Sequence, residues 1–270
     1  MKSRFTFFVS FVLALLIFLP SDGYSRKRNK RSKGVIEMNV IEPDMLAMKA
    51  KQEGAVLLVA QADPNGGAMI NSRFREGIDV SHYQGRIDWD QVAGSSKISY
   101  VYLKATEGAT YVDDTYERNL NEVRRVGLSV GSYHFYRPNI SWREQLTNLT
   151  SIVKVHEQDL VPIIDIEHRG HVSEAKFIRD LKTFISQVEK YYGKKPLLYS
   201  YQNFYNKYLK GHFTDYHWMI AKYQEAEPVL EDGKDYIMWQ YTQAGSMPGV
   251  KGNVDRSRIM GEFSLYHVQL

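Results

Sequence analysis

The sequence predicts an α/β barrel, on three observations. Short β-rich runs recur through the C-terminal two-thirds of the chain, helical stretches lie between the earlier runs, and several runs finish at or near a carboxylate. Alternating strands and helices build a parallel sheet, and in a barrel the strand ends converge on one mouth. A doubly wound open sheet is the alternative, since alternation by itself does not separate the two.

The runs are Gly77–Val80, Tyr100–Ala105, Ser129–Tyr136, Val161–Ile166, Pro196–Ser200, Trp218–Tyr223 and Tyr236–Thr242, with a weak eighth near Asn253–Arg256. Helices are expected at Asp114–Val126, Ser141–Glu157 and Ser173–Tyr192. The last places Phe177, Leu181, Phe184, Ile185 and Val188 at the spacing of one buried face, behind Ser173 as its start. Later helices are expected to be short or lost.

Upstream, Lys2 and Arg4 precede an apolar run from Phe5 to Pro20, the pattern of a secretory signal peptide. Ser21 and Gly23 are its candidate small residues, and an uncleaved membrane anchor is the rival although 16 residues is short for a span. Residues 1–23 are therefore read as signal peptide or anchor, 24–74 as a basic arm and linker, and 75–270 as the folded domain. The chain is expected to be exported: periplasmic, envelope-associated or extracellular. Residues 1–33 hold eight Lys/Arg and one Asp, a charge of +7, which leaves 27 Lys/Arg against 30 Asp/Glu in the remainder. The basic character thus belongs to a tail that could touch an anionic envelope surface, and the folded part gives no reason to expect nucleic acid. With no cysteine, thiolate metal sites, disulfides and a Cys nucleophile are excluded. No metal-ligand spacing, phosphate loop or dinucleotide motif appears, so no cofactor is expected.

The sharpest local feature is Val161-Pro162-Ile163-Ile164-Asp165-Ile166-Glu167. Carboxylates at i and i+2 of a strand share one face, about 6.6 Å apart along the chain. Asp79 lies near the end of the first run, and Asp255 near the last. Four acids around one cleft suit glycoside hydrolysis, which needs one carboxylic acid to protonate the leaving oxygen and an anionic group to stabilise an oxocarbenium-like centre. Tyr133, Tyr136, Tyr199, Trp218, Tyr223, Trp239 and Tyr241 lie on or beside the strands as candidate sugar-stacking residues or core. His82 and His134 are expected to be hydrogen-bonded groups at the barrel mouth.

Together Gly77–Gly85 (GIDVSHYQG), Leu103–Gly108 (LKATEG), Val130–Tyr136 (VGSYHFY), Pro162–Glu167 (PIIDIE) and Trp239–Tyr241 (WQY) resemble the family 25 glycoside hydrolases, lysozymes of the muramidase type. The resemblance runs from about Arg75 to the C-terminus. It implies a modified TIM-like (β/α)5(β)3 barrel that cleaves the β-1,4 bond after N-acetylmuramic acid in peptidoglycan with retention. Glu167 matches the proton donor, Asp165 its partner acid, Asp79 the acid of the first strand and Asp255 that of the last. The family's closing Val-Asp-x-Asn-x-Phe reads here Val254-Asp255-Arg256-Ser257-Arg258-Ile259. Two other functions compete: a wall-binding module without catalysis, and a hydrolase of another N-acetylated polymer such as chitin. A monomer is expected.

Overall fold

A computed structural model describes residues 72–270. The expected leader, arm and linker lie almost wholly outside the described residues. In chain order the elements are β1 (Glu76–Val80), α1 (Trp89–Ser95), β2 (Ile98–Glu107), β3 (Tyr111–Val112), α2 (Tyr116–Arg125), β4 (Ser129–Phe135), α3 (Trp142–Ile152), β5 (Ile163–Asp165), α4 (Glu174–Tyr192), β6 (Leu197–Tyr201), β7 (Trp218–Ala221), β8 (Met238–Gly245) and β9 (Val254–Ile259). A helical turn at Gln202–Phe204, continued by a π-helical turn at Tyr205–Leu209, stands where a fifth helix would be.

The strands pair in the order β1-β9-β8-β7-β6-β5-β4-β2, and β1 also pairs with β2, so the ring closes on eight strands. The small β3 forms a hairpin on β2 outside the ring. Six ring pairings are parallel, and β9 runs antiparallel to both neighbours. This corrects the expectation of an all-parallel barrel. No helix separates β8 from β9, so the chain turns straight back, as antiparallel strands allow.

Two features had no counterpart in the sequence reading: the short α1 and the β2–β3 hairpin. The expected helix at Ser141–Glu157 stops at Ile152, because Val153 and Lys154 are extended before a separate 3-10 turn at Val155–Glu157. The helix at Glu174–Tyr192 forms as expected. The Ser173 side chain accepts from the Lys176 N–H, and Gly193 ends the helix in the left-handed conformation at φ 73°. Its buried stripe includes Phe177, Leu181, Phe184, Ile185 and Val188.

Strand alternation divides the core in two. Outward residues such as Ile78, Val101, Leu103, Ile164, Leu198 and Ile220 pack beneath the helices. Inward residues, including Tyr100, Tyr102, Ile163, Leu197, Met219 and Met238, fill the barrel. Tyr100 and Tyr102 need room there. Their strand partners are Gly77 and Gly131, where a Cβ would stand 2.3 Å from each tyrosine ring. The last turn, Leu265–Val268, contributes Leu265 and Val268 to the same interior cluster and is tied down by Val161 N–H donating to the Val268 carbonyl.

Candidate active site

Above the apolar filling, the inward positions turn polar. A cleft of about 290 Å³ opens there, lined by Asp79, Asp165, Glu167 and Asp255 together with Lys104, Gln240 and several tyrosines. Asp79 and Asp165 come from the C-terminal ends of β1 and β5. Glu167 lies two residues beyond β5, yet the Ile166 N–H still donates to the Tyr199 carbonyl at 3.0 Å. That bond continues the strand register and keeps Glu167 on the same face as Asp165. Asp255 arrives differently. Because β9 is reversed, its beginning rather than its end reaches the mouth, where Asp255 is directly paired with Asp79 across the β1–β9 ladder.

The four carboxyls differ in how strongly they hold a proton. Asp79 is 8% exposed; burial pushes its pKa to about 8, against a bond from Gln240 and helped by the charge of Asp255. Asp165, equally buried, is held well above the usual carboxylate range by burial and then by neighbouring Glu167, with Lys104 opposing. Glu167 is raised to about 7 by burial and the Asp255 charge, while Lys104 and Arg137 pull it down. Asp255 is raised least, to about 6, by burial. At neutral pH, then, Asp255 is mostly ionised and Glu167 sits near half-protonation.

A hydrogen-bond relay fixes the wall. Gln240 donates from Nε2 to Asp79 Oδ2 at 2.9 Å, and its Oε1 accepts from the hydroxyls of Tyr199 at 2.8 Å and Tyr223 at 2.7 Å. The second oxygens of Asp79 and Asp165, both Oδ1, are buried with no protein partner. Lys104 reaches Glu107 at 2.7 Å and lies over the rings of Tyr111 and Phe135.

Of the seven aromatic candidates, Tyr133, Tyr199 and Tyr223 line the cleft. The other four do not, and alternation is the reason. Tyr136 is buried outside the ring against Phe184, and Trp218 is enclosed by Tyr205 and Phe213. Trp239 and Tyr241 flank the inward Gln240 and so face out. The Trp239 ring N–H donates to the Lys222 carbonyl, and Tyr241 donates to Glu76. Lys104, Gln240, Tyr201 and Tyr83 line the cleft without having been singled out as site residues. Lys104 and Gln240 stood inside quoted motifs, and strand parity with Asp79 and Asp165 is the signal that finds them. Tyr83 is 81% exposed at the rim, on a 3-10 turn whose capping box joins Ser81 and Gln84.

The histidines are held by hydrogen bonds. His82 Nδ1 lies 2.9 Å from Asp113. His134 is not at the mouth as expected but buried on the outer side of β4 against Phe184. There it contacts Thr106 and Gln145, and burial lowers its pKa to about 4. Among the described residues, no group of three or more His, Cys, Asp or Glu is arranged to hold a metal ion.

Residues 78–250 match the sequence profile of Glycosyl hydrolases family 25. Lysozyme M1 of Streptomyces globisporus is 31% identical over 205 residues, covering 69% of this chain and 68% of its own. An Escherichia coli (strain K12) protein described as "Uncharacterized protein YegX" is 36% identical over 183 residues, 66% of this chain and 67% of its own. Among solved structures, a bacterial lysozyme from Streptomyces coelicolor superposes with a TM-score of 0.64 at 28% identity, covering 70% of this chain and 93% of its own. A family 25 glycosyl hydrolase from Bacillus anthracis gives 0.65 at 27% identity, over 72% and 92%. The profile match takes in more than half of the chain, and the closed eight-stranded barrel is that of the solved lysozymes: this chain belongs to glycosyl hydrolases family 25 and is a glycoside hydrolase.

Proposed function

We propose that the chain is a peptidoglycan muramidase that cleaves the β-1,4 bond between N-acetylmuramic acid and N-acetylglucosamine with retention. The observation carrying this reading is the graded proton affinity of four carboxyls at one barrel mouth. Glu167, with a pKa of about 7, is suited to give a proton to the glycosidic oxygen and later to take one from water. Asp165 sits on the same face of the same strand, so it is poorly placed to attack from the opposite side of the sugar. Its place in the lining of the cleft beside Glu167 suits it instead to accept the N–H of the substrate's acetamido group. The acetamido oxygen then attacks C1 as the C1–O bond breaks, and the leaving oxygen takes the Glu167 proton. Water next attacks C1 and yields a proton to Glu167, the bond between C1 and the acetamido oxygen breaks to restore the acetamido group, and configuration is retained. Asp79, protonated at neutral pH and clamped by Gln240, is a weak nucleophile. Asp255 remains anionic and can face the developing positive charge.

One observation favours a second mechanism: Asp255 is the carboxyl least raised in pKa, which suits it to attack C1 directly. Peptidoglycan de-N-acetylated at muramic acid separates the two. Under substrate assistance its cleavage collapses while binding persists; a trapped glycosyl ester on Asp255 would establish the protein nucleophile. The function itself is tested by release of reducing ends from purified peptidoglycan, set against chitin. Wild type is expected to release muramic acid ends, and Glu167→Gln to fold normally with turnover reduced at least ~10²-fold, in line with the usual worth of general acid catalysis. Absence of release by wild type, or normal turnover in Glu167→Gln, would overturn the assignment. We propose further that the chain acts outside the inner membrane, on the strength of its N-terminal sequence, and mass spectrometry of the native N-terminus is the check.

A further inference from the structure

Beside the cleft lies a second groove of about 360 Å³ that the proposed chemistry does not use. One wall is the β2–β3 turn with Gly108, Ala109 and Tyr111. The other carries Arg137, Ile140 and His168. The groove starts one residue past Glu167, at His168. It is also joined to the cleft through Glu107, which takes Lys104 on Oε2 and Arg137 on Oε1. Between the two spaces stands the Phe135 ring, lining the cleft on one side and stacked under the Arg137 guanidinium at 4.5 Å.

Both walls are held rigid by α3. Buried Asn148 donates its Nδ2 to the carbonyls of Gly108 and Tyr111, each at 3.0 Å. Three residues earlier, fully buried Gln145 accepts from the Arg137 N–H at 2.8 Å and donates to the Arg137 and Ile140 carbonyls at 3.0 and 3.2 Å. Two amides one helical turn apart on a single helix thus hold the groove open in a fixed shape, which is how a recognition site is preorganised.

We infer that this groove receives the lactyl-peptide substituent on the muramic acid ring, making glycan that carries peptide stems the preferred substrate. The inference rests on the muramidase reading above. Continuity with the cleft suits a branch projecting from the sugar being cleaved. Ile140 (38% exposed) and Tyr111 (39% exposed) offer apolar surface to small groups such as the lactyl methyl and an alanine side chain. The stem also bears carboxylates. Lys104, Glu107 and Arg137 together carry one net positive charge, and Arg137, 41% exposed, uses only part of its five-donor fork on Glu107 and His168. Its remaining N–H groups suit a charge-assisted bond to a carboxylate. A chitin chain has no branch to place there.

The test compares kcat/KM on two soluble, uncross-linked glycan strands: one with its peptide stems intact, the other stripped of them by an amidase and with the lactyl carboxylate so freed capped as its primary amide. Wild type is expected to favour the stem-bearing strand on the order of tenfold, mainly through KM, the worth of about one charge-assisted hydrogen bond. Arg137→Gln removes the cation, and Ile140→Asp places a repelling charge at an exposed position that tolerates it. Each should bring the ratio between the two strands close to one, and the ratio cancels any general effect on the chemistry. Equal rates on both strands in wild type, or an undiminished ratio in both variants, would overturn the inference. If wild type cuts neither strand, the muramidase reading falls and this inference falls with it.

Discussion

Asp79→Asn should stabilise the fold, and by an amount that grows with pH. In the folded protein Asp79 binds its proton with a pKa of about 8, against an ordinary value of 3.8. At pH 7 folding therefore takes up a proton that the unfolded chain does not hold. At 1.36 kcal/mol per pKa unit over the interval from 3.8 to pH 7, the cost is roughly 4 kcal/mol at most. Asparagine carries no charge to be buried, and its carbonyl can still accept from Gln240. Allowing for relaxation around the site, the realised gain is about 2 kcal/mol, or roughly 4–8 °C in Tm for a domain of this size. The sign follows from a raised carboxyl pKa. Its favourable contribution is complete below about pH 4 and is lost as pH climbs towards 8. Wild type and variant should accordingly melt together near pH 4 and separate progressively up to pH 8, as measured by thermal or urea unfolding across that range. An identical gain at both ends, or a variant less stable than wild type at pH 8, would refute burial of a protonated Asp79.

Lys104→Met removes the cation that pulls Glu167 down. The alkaline limb of kcat/KM, expected near pH 7 where Glu167 loses its proton, should move up by roughly one unit; an unmoved or lowered limb would show that Lys104 does not act on Glu167. Gly131→Ala drives a Cβ into the buried Tyr102 ring and should cost roughly 1–3 kcal/mol by denaturant melts, with part of the loss recovered when Tyr102→Leu is added. Turnover should survive excess EDTA, because every atom assigned to the chemistry is a carboxylate or substrate oxygen; loss restored by a divalent ion would contradict that.

The site was more legible than its frame. An apolar strand that ends in alternate acids has one physical reading, since both side chains must share a face, and Asp165 and Glu167 do. The direction of β9 was not legible: six residues of modest strand character look alike in either sense, and only the missing helix before them hinted at reversal. The aromatic candidates show a second gap. Trp239 and Tyr241 are strong β-formers with sugar-stacking chemistry, yet whether they face the cleft turns on a parity set by their neighbour. Gln240, the small polar residue between them, is the one that a mouth lined with carboxyls accommodates. The β2–β3 hairpin rests on Asn148, 37 residues from Tyr111, a separation over which no local pattern reports.

The position of β9 in the ring also bears on how the protein assembles. Its neighbours β1 and β8 come from opposite ends of the domain, and Arg256 on β9 bonds to Glu76 across 180 residues of sequence. Pairings that distant form late, because the loop they close is entropically costly until the intervening chain has ordered. The β8–β9 pairing is local, so until β9 docks on β1 it is β1 and β9 that each present an unpaired edge able to recruit a strand from another molecule. The catalytic mouth is unfinished over the same interval, since Asp79 and Asp255 face each other only across that final seam. Aggregation during refolding and loss of the cleft therefore have one origin, and a chain ending before Val254 would suffer both.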